Sequence, residues 1–129
     1  VLLEGKGRER AVIVLGDLND EPDAATTQIL YGPPGSEIGT AGYGQPDQGD
    51  GARLWNLAAR IPEDQRYSRI YRGHRELIDH ILVSYKVSHA VTDGQVTTGP
   101  ASTSIDDNPN ARRDTPFSDH RPLVAAIAL

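Results

Sequence analysis

The sequence predicts a sheet-dominated α/β (α+β) fold, largely antiparallel and with few helices. Three observations carry this. Short apolar or alternating runs recur along the chain, only one stretch has helix punctuation, and the 13 Gly and 9 Pro cluster between the runs. Residues 11–15 form a continuous apolar run with a β-branched centre, stopped by Gly16 and an acidic cluster. Such a run predicts a strand buried on both faces. Asp23, with Pro22 just ahead of it, reads as the N-cap of a short helix over 24–30. Residues 32–51 hold most of the Gly and Pro punctuation and predict a long loop. Residues 54–57 are an apolar island of open type. Residues 67–71 and 76–84 each predict a strand, and Gly73 between them makes a hairpin. Residues 87–91 and 95–98 are weaker strand candidates, 98–116 are irregular, and the apolar stretch 121–129 closes the chain as a strand.

A chain of 129 residues bounds the fold to one domain at most. It has no Cys, which excludes disulfides, thiolate metal sites and a Cys nucleophile. Thirteen Lys and Arg stand against 18 Asp and Glu, for a net charge of −5. That balance disfavours a simple basic wrapper of nucleic acid and suits hard metal cations. No run approaches the ~20 apolar residues that span a bilayer, and no basic-then-apolar leader opens the chain. The chain lacks Met and starts at Val1, so it is expected to be a fragment. Gly-x-Ser-x-Gly, Ser-x-x-Lys and P-loop patterns do not occur, which leaves a Ser or Lys nucleophile and a nucleotide-binding loop without support.

Three short motifs carry chemistry. Gly16-Asp17-Leu18-Asn19 follows the first strand, and on extended backbone Asp17 and Asn19 share one side while Leu18 packs away. A carboxylate and a carboxamide so placed can position a water and a phosphoryl oxygen, although Asp and Asn are also ordinary turn residues. The acidic run continues through Asp20, Glu21 and Asp23. Counted as a calcium loop from Asp17, the sixth and twelfth places hold Pro22 and Gln28 instead of Gly and Glu, so that reading fails. Those acids read as solvated charge and helix capping.

In Glu76-Leu77-Ile78-Asp79-His80-Ile81-Leu82-Val83-Ser84, alternation sets Asp79 on the face of Leu77, Ile81 and Val83. A carboxylate among apolar neighbours needs a partner, of which His or Arg is the obvious kind; a structural salt bridge would satisfy it equally. In Ser118-Asp119-His120-Arg121-Pro122, Asp119 offers hard oxygen ligation for Mg²⁺ or Mn²⁺, and His120 can donate to a phosphoryl oxygen or shuttle a proton. A surface turn is the plain alternative. Together the motifs supply the acids, the amide and the acid–histidine pair that metal-assisted phosphoester hydrolysis requires.

The ordered set Gly-Asp-Leu-Asn, Ile-Asp-His-Ile-Leu-Val-Ser and Ser-Asp-His-Arg-Pro resembles the endonuclease/exonuclease/phosphatase superfamily with the deoxyribonuclease-I-like fold. The longer strings around the first two motifs look like a bacterial branch of it. The resemblance implies that residues 1–129 form the C-terminal half of a four-layer α/β/β/α sandwich, with the N-terminal half of the same domain missing. It implies that Asp17 activates or orients the attacking water, Asn19 holds the scissile phosphate, Asp119 binds the metal, His120 bonds the phosphate or transfers a proton, and Asp79 orients His120. Mg²⁺ or Mn²⁺ is the implied cofactor, with Ca²⁺ a third candidate. Many members have Tyr where this chain has His80; the position alternates away from Asp79, so little catalytic consequence is expected.

Arg66, Arg69, Arg72, His74 and Arg75 form a local basic run, and Arg112 and Arg113 precede the third motif. Guanidinium groups suit phosphate, so Arg72 and Arg113 are candidate substrate contacts; solvated strand edges explain single Arg residues equally well. The expected partner is a phosphoester, with nucleic acid among the candidates, and no membrane segment is expected. A rival reading makes the chain a catalytically incomplete domain that is structural or self-associates through an exposed sheet face.

Overall fold

A computed structural model describes residues 3–31, 48–100 and 118–128. Seven strands and two short helices follow in order among them: β1 (Ile13–Asp17), α1 (Ala25–Tyr31), β2 (Leu54–Asn56), β3 (Arg69–Tyr71), β4 (His74–Glu76), β5 (Asp79–Ser84), α2 (Tyr85–Ala90), β6 (Val91–Thr98) and β7 (Leu123–Ile127). Three antiparallel sheets result, ordered β1-β5-β2, β3-β4 and β6-β7. The largely antiparallel α/β class is the one the sequence predicts.

β5 is the central strand, and every residue from His80 to Ser84 is buried. Its two faces feed two clusters. Ile81 and Val83 join Trp55, Leu57, Ile61 and Leu77, against which Val91, Val96, Leu123 and Ile127 pack from the β6-β7 sheet. Leu82 joins Leu3 and Leu54 on the other face, with Val12, Val14 and Leu18 laid over them. Burial of these side chains is the main favourable term holding the sheets together.

The expectation that the first strand is buried on both faces is corrected. β1 pairs with β5 alone among the described residues, and its burial alternates. Val14 packs inward, whereas Ile13 is 42% and Leu15 70% exposed, because the β6-β7 sheet packs over β5 and β2 rather than over this edge. Residues 76–84 are also not one strand. The Leu77 amide donates to the Glu21 carboxylate and the Ile78 amide to Ser68 Oγ, so the chain breaks between β4 and β5. Residues 87–91 are mainly helical: Ser84 takes extended backbone at the N-cap position of α2, and within the helix Ser88 Oγ bonds the Tyr85 carbonyl. Only Val91 belongs to a strand, and β6 extends from it over the full 91–98 with a register shift before Val96.

The island at 54–57 becomes β2 followed by a 3₁₀ turn, Leu57–Arg60, whose first turn is capped by the Asn56 side chain accepting from the Ala58 amide. Of the expected loop over 32–51, residues 48–51 form a 3₁₀ turn and the others lie outside the described residues. Most of the irregular stretch 98–116 also lies outside them, and with it Arg112 and Arg113.

The hairpin at Gly73 is present. Tyr71 pairs with His74, and Arg72 and Gly73 form the two-residue turn with φ of 47° and 78°. Positive φ at both places is the type I′ pattern that matches the twist of a hairpin, and Asn or Gly suits it better than Arg. Arg72→Asn is therefore expected to stabilise the fold by about 0.5–1 kcal/mol, read as a higher thermal midpoint. A lower midpoint would mean that the stacking of Arg72 on Tyr71, at 5.2 Å, outweighs the turn.

Candidate active site

The pairing of β1 with β5 sets Asp17 directly opposite Asp79. Opposed side chains in such a pair stand about 5 Å apart on one face, so the two carboxylates emerge together at the sheet's end. Like charges placed this way repel, and what comes between them is His120, from the segment leading into β7. Its Nδ1 is 2.7 Å from Asp79 Oδ2 and 4.0 Å from Asp17 Oδ2. A carboxylate oxygen accepts, so Nδ1–H donates to Asp79 and Nε2 is left as the basic atom of the neutral ring. The His120 amide in turn donates to Ser118 Oγ at 3.0 Å, folding the motif into a tight turn before β7.

Asp17 is positioned by the residues on either side of it. Gly16 has φ of 154°, a value L side chains rarely adopt, just where alternation along the strand delivers Asp17 to the exposed side. Beyond it, the Asn19 amide donates to Asp17 Oδ1 at 2.8 Å, with Asn19 in the left-handed region at φ 55°. Asn tolerates that region better than most residues. Asp17 and Asn19 are both exposed while Leu18 packs inward, the arrangement alternation implies.

Asp119 lies beside the cluster and turns to a different partner. Its Oδ2 is 3.8 Å from Arg69 Nε, and the Arg69 guanidinium stacks 4.8 Å above the Tyr71 ring. A cleft of about 260 Å³ opens here between the Asn19–Glu21 turn and the hairpin's Arg69, Tyr71 and Glu76. Arg72 is exposed at the hairpin tip, and Arg113 lies outside the described residues. His80 points away from Asp79 and is buried. Its Nε2–H donates to the Asp20 carbonyl at 2.8 Å, and its Nδ1 accepts from Asn56 Nδ2 at 3.1 Å, which pins the acidic turn from behind.

Three further residues shape the site without having been singled out by the sequence. Arg69 looked like one member of a basic run, and nothing in the sequence distinguishes it from its neighbours. Ser68, fully buried, accepts the amides of Ile78 and Asp79; a lone Ser at a strand's start gives no signal. Glu21 was read as solvated charge, but its carboxylate accepts the Leu77 amide through both oxygens at 3.2 Å. Burial, with Glu76 and Asp23 nearby, pushes its carboxyl above the ordinary value, against the opposing pull of the Leu77 amide.

As a ligand set, Asp17, Asp79 and His120 bring two hard oxygens and one imidazole nitrogen within 4.8 Å of one another. Carboxylates suit Mg²⁺ and Mn²⁺, so the two acids of the group fit such an ion, whereas His120 Nδ1 keeps its proton for Asp79. A model of the endonuclease/exonuclease/phosphatase family matches residues 1–120. The chain belongs to that family. Phosphoester hydrolysis by nuclease or phosphatase members, generally with a divalent metal, is the family's chemistry, and the Asp-Asp-His cluster falls within the matched residues. No curated protein and no solved structure matches the chain. Among the described residues, no helix of this family member is long and apolar enough to cross a membrane.

Two measurements test how the site is held. A Cβ on Gly16 would meet no atom within 4 Å, so Gly16→Ala is expected to cost about 1–3 kcal/mol through backbone strain alone; a neutral effect in chemical denaturation would remove the conformational argument. Because the folded-state pKa of Glu21 is raised, its ionisation weakens the fold. The cost is absent below the ordinary carboxyl value of 4.5 and complete once pH exceeds the folded value. Glu21→Gln, which keeps an oxygen for the Leu77 amide, should be more stable than the parent at pH 7, with the gap closing as pH falls towards 4. A gap that widens on acidification would contradict the assignment.

Proposed function

We propose that the protein hydrolyses a phosphoester with the help of a divalent cation, and that Asp17, Asn19, Asp79, Asp119 and His120 carry the reaction. The observation that supports this most directly is the 2.7 Å bond from His120 Nδ1 to Asp79 with Asp17 only 4.0 Å away. In this reading Asp79 holds the imidazole by its Nδ1 proton, which presents Nε2 to the substrate. Nε2 takes up a proton, and the Nε2–H so formed donates to a phosphoryl oxygen or passes the proton on. Asp17, exposed and fixed by the Asn19 amide, orients the attacking water, and the Asn19 carboxamide holds the scissile phosphate.

His120 Nδ1 and one Asp79 oxygen are engaged with each other. The carboxylates of Asp17 and Asp119 are therefore the groups that would hold Mg²⁺ or Mn²⁺, with Ca²⁺ a third candidate. The ion's charge would offset that of the phosphoryl oxygens. Arg72 at the hairpin tip and Arg113 are proposed substrate contacts, and nucleic acid is one candidate substrate among phosphodiesters and phosphomonoesters. The assignment of residues 1–129 to the C-terminal half of the family's domain goes with this proposal, and so does the bacterial branch. The apolar edge of β1, paired on one side only among the described residues, supports the first of these.

One observation favours a second reading, that of a structural domain that self-associates. Ile13, Leu15 and Val124 are exposed apolar side chains on strands. Light scattering of the isolated chain tests it, and a stable monomer at high concentration would count against it.

The catalytic reading predicts that the full-length protein hydrolyses bis(4-nitrophenyl) phosphate with Mg²⁺ or Mn²⁺ and loses activity in EDTA. His120→Ala is expected to lower kcat by about 10²–10⁴-fold, with Asp17→Ala comparably impaired. Activity that survives both substitutions would sink the assignment.

A further inference from the structure

The two partners of the acid–histidine pair are far apart in sequence, and one buried residue bonds the backbone of Asp79 and of Arg121, the residue next to His120. Ser68 lies just ahead of β3 and is fully buried. Its Oγ accepts the amides of Ile78 and Asp79, each at 3.2 Å. Its carbonyl accepts the amide of Arg121, the residue after His120, at 2.7 Å, and its own amide donates to the Glu76 carbonyl at 2.9 Å.

The need for such a contact follows from the sheet. β2 pairs with β5 only from Ser84 back to Leu82. On that edge the Asp79 amide meets no strand among the described residues, and a partly buried amide without a partner is costly. Ser68 Oγ takes the place of the missing ladder residue. The same residue's carbonyl, a few covalent bonds away, fixes the strand entrance that carries His120. The separation of the two backbones is thereby set through one short, unexposed side chain and not by the flexible reach of Asp79 and His120.

We propose that Ser68 is the positioning residue of the Asp79–His120 pair: it holds the Asp79 and Arg121 backbones at the spacing that lets Nδ1–H meet the carboxylate. This deepens the phosphoesterase reading and rests on it for its kinetic consequence alone. Misplacing a catalytic group by about 1 Å costs up to ~10²-fold in rate, so Ser68→Ala is expected to lower kcat about tenfold with KM unchanged.

The decisive readout is the imidazole proton on His120 Nδ1, followed by NMR in the full-length protein. It is expected as a downfield, slowly exchanging signal in the parent, broadened or lost in Ser68→Ala, and recovered together with kcat in Ser68→Thr, which keeps an oxygen at this place. Ser88→Ala removes an equally buried hydroxyl from α2 and should leave both signal and kcat unchanged. A parent-like Nδ1 proton and kcat in Ser68→Ala would overturn the proposal, as would a Ser68→Thr variant no better than alanine. Should Ser68→Ala not fold, amide exchange in the parent decides: the Asp79 and Arg121 amides must be protected like those of Leu82 and Val83, and exchange at loop rates would overturn it. The proton and exchange readouts need no turnover. A protein that hydrolyses no phosphoester but shows the Ser68 dependence would retire the functional reading and leave the positioning role standing.

Discussion

Two carboxylates face one another across the β1–β5 pair, and the site is organised around that opposition. Side by side at a sheet's end, Asp17 and Asp79 cannot be accommodated by packing; they need hydrogen-bond donors. The Asn19 amide serves one and the His120 ring serves the other. Both donors come from turns, one continuing β1 and one leading into β7, so the register of a single antiparallel pair decides where two loops must end. A slip of one residue would send Asp79 to the far face and His80 into its place. The second imidazole is already committed there, between Asp20 and Asn56.

The support beneath this arrangement is local and polar. Ser68, Glu21 and Arg69 each come from a segment next to β4 or β1; Ser68 and Glu21 fill gaps where ladder pairing stops, and Arg69 meets Asp119. Glu21 and Ser68 between them take the amides of Leu77, Ile78 and Asp79. The break between β4 and β5 is therefore held by side chains where ladder bonds are missing. At a cost in desolvation, Glu21 ties the acidic turn to the same break.

Much of this was legible in the sequence. The alternation in residues 76–84 placed Asp79 on the face of Ile81 and Val83 and marked it as a carboxylate that needs a partner, and His120 is that partner. The Gly73 hairpin and the side shared by Asp17 and Asn19 were also readable, because period-two alternation and turn chemistry are local properties. What failed was non-local. The apolar run at 11–15 looks buried on both faces, yet which strand lies at an edge depends on partners elsewhere in the chain. Val87 has strand propensity, but burial of Val87 and Ser88 after the Ser84 turn selects a helix. Nothing in the composition around Ser68 or Arg69 separates them from ordinary surface residues, since their importance arises only when the hairpin meets β5.

The open edge of β1 has a colloidal consequence. Ile13 and Leu15 flank an edge whose backbone is paired on one side only among the described residues, the geometry that templates strand addition between molecules. No charge lies within residues 11–16, although Arg8, Glu9 and Arg10 precede them and Asp17 follows, so repulsion between whole molecules adds to that of the flanking charges. With a net charge of −5 at neutral pH and an isoelectric point near 5.2, that repulsion fades in mild acid. The edge that leads into Asp17 is thus least guarded near pH 5, where the net repulsion between copies is smallest.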